Sequence, residues 1–598
     1  MKPFNAIRKH LALPKTSWQI CLLAIIGGFA SALLVVLFTL TIEQIQQLYL
    51  VKRDNYNTLD KISRFDLPII GSLIILLFAW LTGYKYLRTG IPFVLHRLKV
   101  AHGVIPLKNT LNQFFGSAVA LASGFSVGRE GPAVHLGAAC SSYLGDLLKL
   151  PHNSIRILCA CGIAAGISAT FNTPIAAVLF VMEVIMREYK VHIFVPIMLA
   201  SLVGSLVTRS VFETSHNFEF FHKIELIYQH YIPLAILAIF LGILAAAFNK
   251  TLVGIIKHSV KIHIVPRLML AAFITGALGY FIPGAMGTGT GAIDVSLANN
   301  WQVGLLLSLL LAKFLMTTFA LGLGIPGGII GPIIGIGAIA GALGAALAMQ
   351  FYPGDHIGSD FILMGMAGFM AATLNAPLAA LLAVVELSGQ LEIIVPAMIV
   401  ITISCITSGQ IFKNRSIFTM QLDVQDLIYN KPPVEKTLQK IGVLGLMIDK
   451  LELVEKASRS TLAGLVVSSD INVPVINKTI KKVIKRNKVV EVVDYYWAEL
   501  SAQASLSNTS INQNDNSHTR NKIVTDNISD NMQLHKLIPI SHQATLAEAY
   551  HLLIAERCGG VYIHQDNIND IMGIVTFEQI RQYLVTGKLV IGKLAQSE

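Results

Sequence analysis

Two oppositely charged side chains, Arg129 and Glu130, stand side by side in Gly124–Gly137 (GFSVGREGPAVHLG), inside a long apolar region. An unpaired carboxylate in hydrocarbon costs at least about 2.5 kcal/mol, so an acid placed there faces a cavity or a partner. Pro132 suits the first turn of a helix, where its missing N–H had no acceptor anyway, and the glycines around it let backbone approach a ligand closely. The stretch reads as a loop feeding a helix N-terminus, whose N–H groups and positive dipole end attract an anion. Taken alone, the same residues would also suit a turn outside the membrane carrying an Arg–Glu pair.

A repeat narrows that choice. GREGPAVHLGA (128–138) aligns with GIIGPIIGIGA (328–338), sharing Gly128/Gly328, Gly131/Gly331, Pro132/Pro332 and Gly137/Gly337 at an offset of 200. FNTPIAAVLFVME (171–183) aligns with LNAPLAALLAVVE (374–386), sharing Asn172/Asn375, Pro174/Pro377 and Glu183/Glu386 at an offset of 203. Two motifs in the same order and at nearly the same separation mark two homologous halves. Helices broken at corresponding places of two halves point to an ion site near the membrane midplane, with both N-termini converging on one anion.

Composition sets the surroundings. The 598 residues are 54% hydrophobic and only 14% charged, with mean hydropathy +0.62, the profile of a polytopic membrane protein. A net charge of +11 comes without any basic–aromatic platform, so nucleic acid is not an expected partner. Lys2, Arg8, Lys9 and Lys15 precede the first apolar run, which places the N-terminus in the cytoplasm by the positive-inside bias. That run, Thr16 to Ile42, is uncharged and too long for a signal-peptide core, so it reads as a retained, tilted helix. Six scattered cysteines without CxxC pairing suggest neither disulfides nor a metal site.

Further apolar segments are expected at about 65–80, 104–122, 155–182, 194–206, 231–248, 268–281 and 303–311. Phe314 to Gly354 contains no Asp, Glu, Lys or Arg and is too long for one span, so GLGIPGGIIGP (322–332) must break it into two helices. Spans at 360–386 and 393–412 complete the membrane region. The expected organisation is a cytosolic N-terminus (1–16), two membrane repeats (17–213 and 230–422) and a charged cytosolic region (423–504). A Ser/Asn-rich disordered linker (505–532) and a final module (533–598) follow. Lys478, Lys481, Lys482, Lys485, Arg486 and Lys488 read as the solvated face of a helix, with anionic lipid headgroups as the alternative. Between Leu537 and Leu584 helix-like and strand-like patterns alternate, as in a small α/β module.

With these residues in place, the chain resembles the CLC family of chloride channels and chloride/proton antiporters over about residues 17–422. The resemblance rests on GREGP (128–132), GIPGGIIGP (324–332), the NxPxA…E helices of both halves and RTGIP (88–92). It implies an all-α polytopic fold of two inverted-topology repeats with broken helices. The end of the chain, about 534–586, resembles a CBS domain, with a degenerate first copy at about 430–500. Gln579 stands where nucleotide-binding versions often carry Asp, so the usual carboxylate for adenine nucleotide is missing; no cofactor or metal is expected.

The resemblance also assigns roles. Glu130 takes the place of the gating glutamate, whose carboxylate occupies an anion site until protonation or chloride displaces it. Backbone N–H groups of Arg129, Glu130 and Gly131 would form the outer part of the pathway, and those of Ile329 and Ile330 the central site. Thr89 takes the position of the pore serine and keeps a hydroxyl donor, while Arg88 replaces the usual glycine of RTGIP. Phe418 takes the position of the central tyrosine; the lost hydroxyl is worth about 1 kcal/mol. The antiporters' inner proton glutamate is replaced by Val184, and Glu183 is expected to be a helix-end carboxylate satisfied by nearby backbone, as is Glu386. Val184 and His135 both look like the animal channel branch.

A voltage- or pH-gated chloride channel is therefore the leading expectation, in a homodimer with a separate pore per subunit, embedded in the lipids of the cell membrane with both termini cytoplasmic. A chloride/proton antiporter lacking the inner glutamate stays open beside it. An enzyme or nucleotide-driven pump is disfavoured: GxxxxGK[ST] is absent, and GTGTG (287–291) reads as an interhelical turn.

Overall fold

The computed structural model describes residues 2–52, 54–84, 90–212, 226–289, 291, 293, 296, 302–351, 357–427, 432–468, 473–485, 488–500, 532–565, 567–587 and 589. Two compact units result: one of residues 16–148 and 155–430, the other of residues 1–15, 149–154 and 431–598.

The first helix, α1 (Lys2–Leu11), belongs to the smaller unit. The larger unit opens with α2 (Trp18–Gln47), α3 (Lys61–Thr82), α4 (Gly90–Val100), α5 (Leu107–Ala122) and α6 (Glu130–Leu147). It continues with α7 (His152–Phe171), α8 (Pro174–Phe180), α9 (Val191–Val211), α10 (Tyr231–Ser259) and α11 (Ile264–Phe281). It closes with α12 (Val303–Leu323), α13 (Ile330–Ala348), α14 (Gly358–Leu374), α15 (Pro377–Ser388), α16 (Ile394–Ile406) and α17 (Ile417–Val424). Among the described residues nine helices are long and apolar enough to cross a membrane. The 30 residues of α2 extend about 45 Å, more than the hydrocarbon core, so the helix tilts or projects from it. Ser17 caps α2 by accepting from Ile20 N–H, and Asp60 caps α3 by accepting from Ser63 N–H.

The break expected at 322–332 is present: α12 ends at Gly324, which has φ +102°, and α13 begins at Ile330. Two segments expected as single spans are instead broken. Residues 155–182 divide into α7 and α8, and residues 360–386 into α14 and α15. The cause is the Asn-x-Pro sequence in each half. Asn172 (φ 56°) and Asn375 (φ 54°) turn left-handed, which asparagine tolerates, and Pro174 and Pro377 each restart a helix at its first turn. A third departure concerns charges. Segments delimited at charged residues ended before Lys313 and began after Arg267, yet α12 runs straight through Lys313 and α11 contains Arg267.

Equivalent helix crossings complete the duplication. A Cβ at Gly137 would overlap the Gly162 carbonyl, and one at Gly337 would lie 2.6 Å from the Gly365 carbonyl oxygen. Both halves thus pack α6 on α7 and α13 on α14 at backbone distance, which a larger residue would prevent.

In the smaller unit, α18 (Pro433–Leu438) precedes a mixed six-stranded sheet ordered β1 (Glu452–Glu455), β2 (Val475–Lys485), β3 (Lys488–Leu500), β4 (Met532–Ser541), β5 (Gly560–His564) and β6 (Gly573–Thr576). Helices α19 (Arg459–Ser468) and α20 (Leu546–Glu556) connect the two parallel pairs, β1–β2 and β4–β5, and α21 (Phe577–Thr586) follows β6. Residues 452–500 and 532–576 therefore share one β-α-β-β order, the arrangement of a CBS-like module. Of the basic run, Lys478, Lys481, Lys482 and Lys485 lie on β2 and Lys488 on β3 rather than on a helix, because the β-branched VINKTIKKVIK pairs antiparallel with KVVEVVDYYWAEL; Arg486 lies outside the described residues. The expected linker 505–532 falls outside the described residues except for Met532.

Residues 1–15 and 149–154 are integral to this unit. Asn153 Nδ2 donates to the Leu11 and Ala12 carbonyls at 3.0 and 3.2 Å, and Gly442 N–H donates to Ala12 at 2.9 Å. Lys9 Nζ reaches Asp449 Oδ2 at 2.8 Å, and its hydrogen bond, helped by its charge, holds that carboxyl below its ordinary value. Gln579 is committed internally: its Oε1 accepts from Thr576 N–H at 2.9 Å and its Nε2 donates to the Leu446 carbonyl at 3.2 Å.

Candidate functional site

The two glycine-rich breaks meet. Gly128 N–H donates to the Gly328 carbonyl at 2.7 Å, and Gly328 N–H donates back to the Gly128 carbonyl at 2.6 Å, an antiparallel bridge between residues 200 positions apart. The bridge places the first turns of α6 and α13 on one locus. Neither first turn has a side-chain cap, Arg129 and Ile329 being the N-cap residues, so backbone N–H groups face the locus. Close approach demands glycine: a Cβ on Gly131 would stand 2.7 Å from Gly328 Cα, and one on Gly327 would stand 2.5 Å from Val127 Cβ.

Glu130 fills the junction. It is 1% exposed, and its carboxylate lies against Gly331 in the first turn of α13, with Oε1 2.9 Å from where a Gly331 Cβ would stand. Oε2 is wedged between Gly128 and Gly328 without a hydrogen-bond partner, while Oε1 lies against Gly331. A negatively charged group from the first half is thereby seated on the helix start of the second, the arrangement that helix dipoles favour for an anion.

A cavity of about 360 Å³ opens beside this junction. Its wall takes Gly90, Pro92, Phe93 and Gly131 from the first half and Pro326–Ile329 and Phe418 from the second. Gly131, Ile329 and Phe418 are therefore brought together on one surface. Ile330 sits at the first turn of α13 and Arg129 at the N-cap of α6. Phe418 is buried and stacks edge-on against Phe180 at 6.5 Å. Thr89, with Arg88, lies outside the described residues.

Arg267 was not singled out from sequence, yet it lines the cavity, with Nε donating to the Leu323 carbonyl at 3.1 Å. An arginine inside an apolar helix was the available signal.

The two conserved-register carboxylates form a reciprocal pair. Glu183 accepts from Leu378 and Ala379 N–H (3.3 and 2.8 Å), and Glu386 accepts from Ile175 and Ala176 N–H (2.9 and 2.7 Å). Each glutamate thus caps the start of the equivalent helix in the other half, so the backbone that satisfies it is across the pseudo-symmetry and not in its own helix. Val184, beside Glu183, is buried and apolar.

Broken helices from two interlocked halves meet around a seated acid beside a cavity, an arrangement suited to holding an anion within a membrane. The family model described as "Voltage gated chloride channel" matches residues 71–409, and the chain belongs to the CLC family of chloride transport proteins. Its fold is similar to that of a slow cyanobacterial Cl⁻/H⁺ antiporter (20% identity over 68% of this chain and 97% of that one, TM-score 0.61). It is also similar to a CLC-type fluoride/proton antiporter (21% identity, 67% and 97% covered, TM-score 0.56). A eukaryotic CLC transporter matches over 94% of this chain and 98% of that one, at 17% identity and TM-score 0.56.

Proposed function

We propose that the protein conducts chloride passively along a pathway through the α6–α13 junction, with Glu130 as a tethered competitor that leaves on protonation. The observation that carries this reading is the Glu130 carboxylate seated on the first turn of α13 beside the Gly128–Gly328 bridge. An unshielded anion in hydrocarbon faces a penalty of tens of kcal/mol, so a path must replace its hydration with fixed dipoles. Backbone N–H groups at Arg129–Gly131 and Ile329–Ile330, the Thr89 hydroxyl and the Arg129 charge would supply them. No deep trap results, because every donor but one is neutral.

Passive conduction is favoured over coupled exchange by Val184, a buried apolar side chain where a second proton carrier would stand. Chloride/proton antiport is the second reading, supported by the protonatable seat of Glu130 and by the two antiporters of similar fold. Reconstituted protein under a proton gradient separates them: a channel's chloride reversal potential ignores the gradient, and a shift with it would reject the passive reading. Voltage dependence, a homodimer with one pore per subunit, residence in the lipids of the cell membrane and cytoplasmic termini extend the same reading. The CBS-like unit would work without adenine nucleotide, since the Gln579 amide is already engaged.

A further inference from the structure

The GTGTG turn was expected to be a plain connection, but four separate elements hold its described part. Lys313, 0% exposed in the middle of α12, points Nζ at the carbonyls of Ala285, Met286 and Gly287 (3.1, 3.5 and 2.7 Å). Asp54 accepts from Thr288 N–H at 2.9 Å and from the Thr288 hydroxyl at 2.6 Å. Gly287 N–H donates to the carbonyl of Gly124, in the loop that feeds α6. Below, the strap rests on α13: a Cβ on Gly289 would lie 2.9 Å from the Gly331 carbonyl oxygen, and one on Gly335 3.1 Å from Gly289 Cα.

Gly331 is the hinge of the matter. A Cβ there would meet the Thr288 carbonyl oxygen and Glu130 Oε1, each at 2.9 Å. The strap and the Glu130 carboxylate therefore both pack against the same glycine, within reach of one Cβ position. The strap follows the C-terminal end of α11, while the cavity opens at the N-terminal end, beside Ile264 and Arg267. The gate thus lies between cavity and strap. A buried ammonium in a span is expensive; what it adds that an apolar side chain cannot is a set of donors that fixes the 285–287 carbonyls. Ionisable groups around the strap are Lys313, Asp54, Tyr49 and Tyr56, with Glu130 and Arg129 beneath.

We propose that Pro283–Gly289 is a second lid on the pathway, and that Lys313 and Asp54 are positioning residues that set how much acid is needed to release Glu130. The proposal rests on the gate reading above. Loosening the strap where it packs on Gly331 loosens the seat of Glu130 and favours the displaced, protonated acid. In liposomes, Lys313→Met should raise the pH of half-maximal chloride efflux by about one unit, a tenfold change in the ratio of seated to released acid. Thr288→Val, which loses one hydroxyl bond and changes no charge, should shift it the same way by less. It decides the matter if Lys313→Met does not fold.

Neither substitution should alter efflux when added to Glu130→Gln. An unchanged half-activation pH in the folded variants, or a shift that persists with Glu130→Gln, overturns the lid. Ordinary pH dependence in Glu130→Gln by itself would instead overturn the gate reading, and the lid with it.

Discussion

Glu130→Gln is the sharpest test of the junction, because the side chain is nearly isosteric and only charge and one acceptor change. The native carboxylate lies against Gly331, where two helix starts with uncapped N–H groups converge. A hydrogen bond to a charged group is worth about 1.5–3 kcal/mol, and each helix start adds about 0.3–1 kcal/mol for an anion. The amide keeps one acceptor oxygen but turns its NH₂ towards donors, so about 3 kcal/mol of preference for the seat disappears. At about 1.4 kcal/mol per tenfold, the seated population falls on the order of a hundredfold. The assay is chloride efflux from liposomes between about pH 3.5 and 7.5, a range that brackets the ordinary glutamate value of about 4.3. Wild type should accelerate on acidification, and the variant should be fast and flat throughout. A variant that is closed at neutral pH and still opens with acid would refute the idea that this carboxylate competes with chloride.

Three further outcomes follow from other parts of the molecule. Glu183→Ala and Glu386→Ala each remove a cap from the opposite half and should cost about 1 kcal/mol in detergent unfolding, without changing the reversal potential under a proton gradient. A changed reversal potential in Glu183→Ala would instead make it a proton carrier. Phe418→Tyr restores a hydroxyl at the cavity wall and should tighten chloride about fivefold by calorimetry, the equivalent of about 1 kcal/mol; unchanged binding would remove Phe418 from the site. Because Lys9 depresses the Asp449 carboxyl, the pair's contribution is present above the ordinary carboxylate value and is lost as pH falls through the lower folded one. The protection factors of amides in residues 2–11, corrected for the intrinsic pH dependence of exchange, should therefore fall on acidification, and Asp449→Asn should remove that dependence.

Much of the site was legible because broken helices need particular residues. Gly-Pro punctuation at 131–132 and 331–332, repeated at an offset of 200, indicated two helix starts facing one anion, and the bridge between Gly128 and Gly328 is that convergence. Less legible were the Asn-x-Pro breaks, since both flanks are apolar and hydropathy alone joins them. Lys313 and Arg267 were overlooked for a related reason: delimiting spans at charges assumes that charges lie outside, whereas backbone carbonyls solvate both within the protein.

The basic run 478–488 shows the limit in the other direction. Its lysines suit a helix face or a strand equally, and the antiparallel partner at 488–500 decided for strand. Sequence by itself determined what is local or periodic: spans from apolar length, breaks from residues that restrict the backbone, and duplication from register. Only the tertiary structure decided which carboxylate meets which helix start, because Glu130 on Gly331, Glu183 on Ala379 and Glu386 on Ala176 all join residues from different halves. Such pairings depend on how the halves interlock, and chain order carries no record of it.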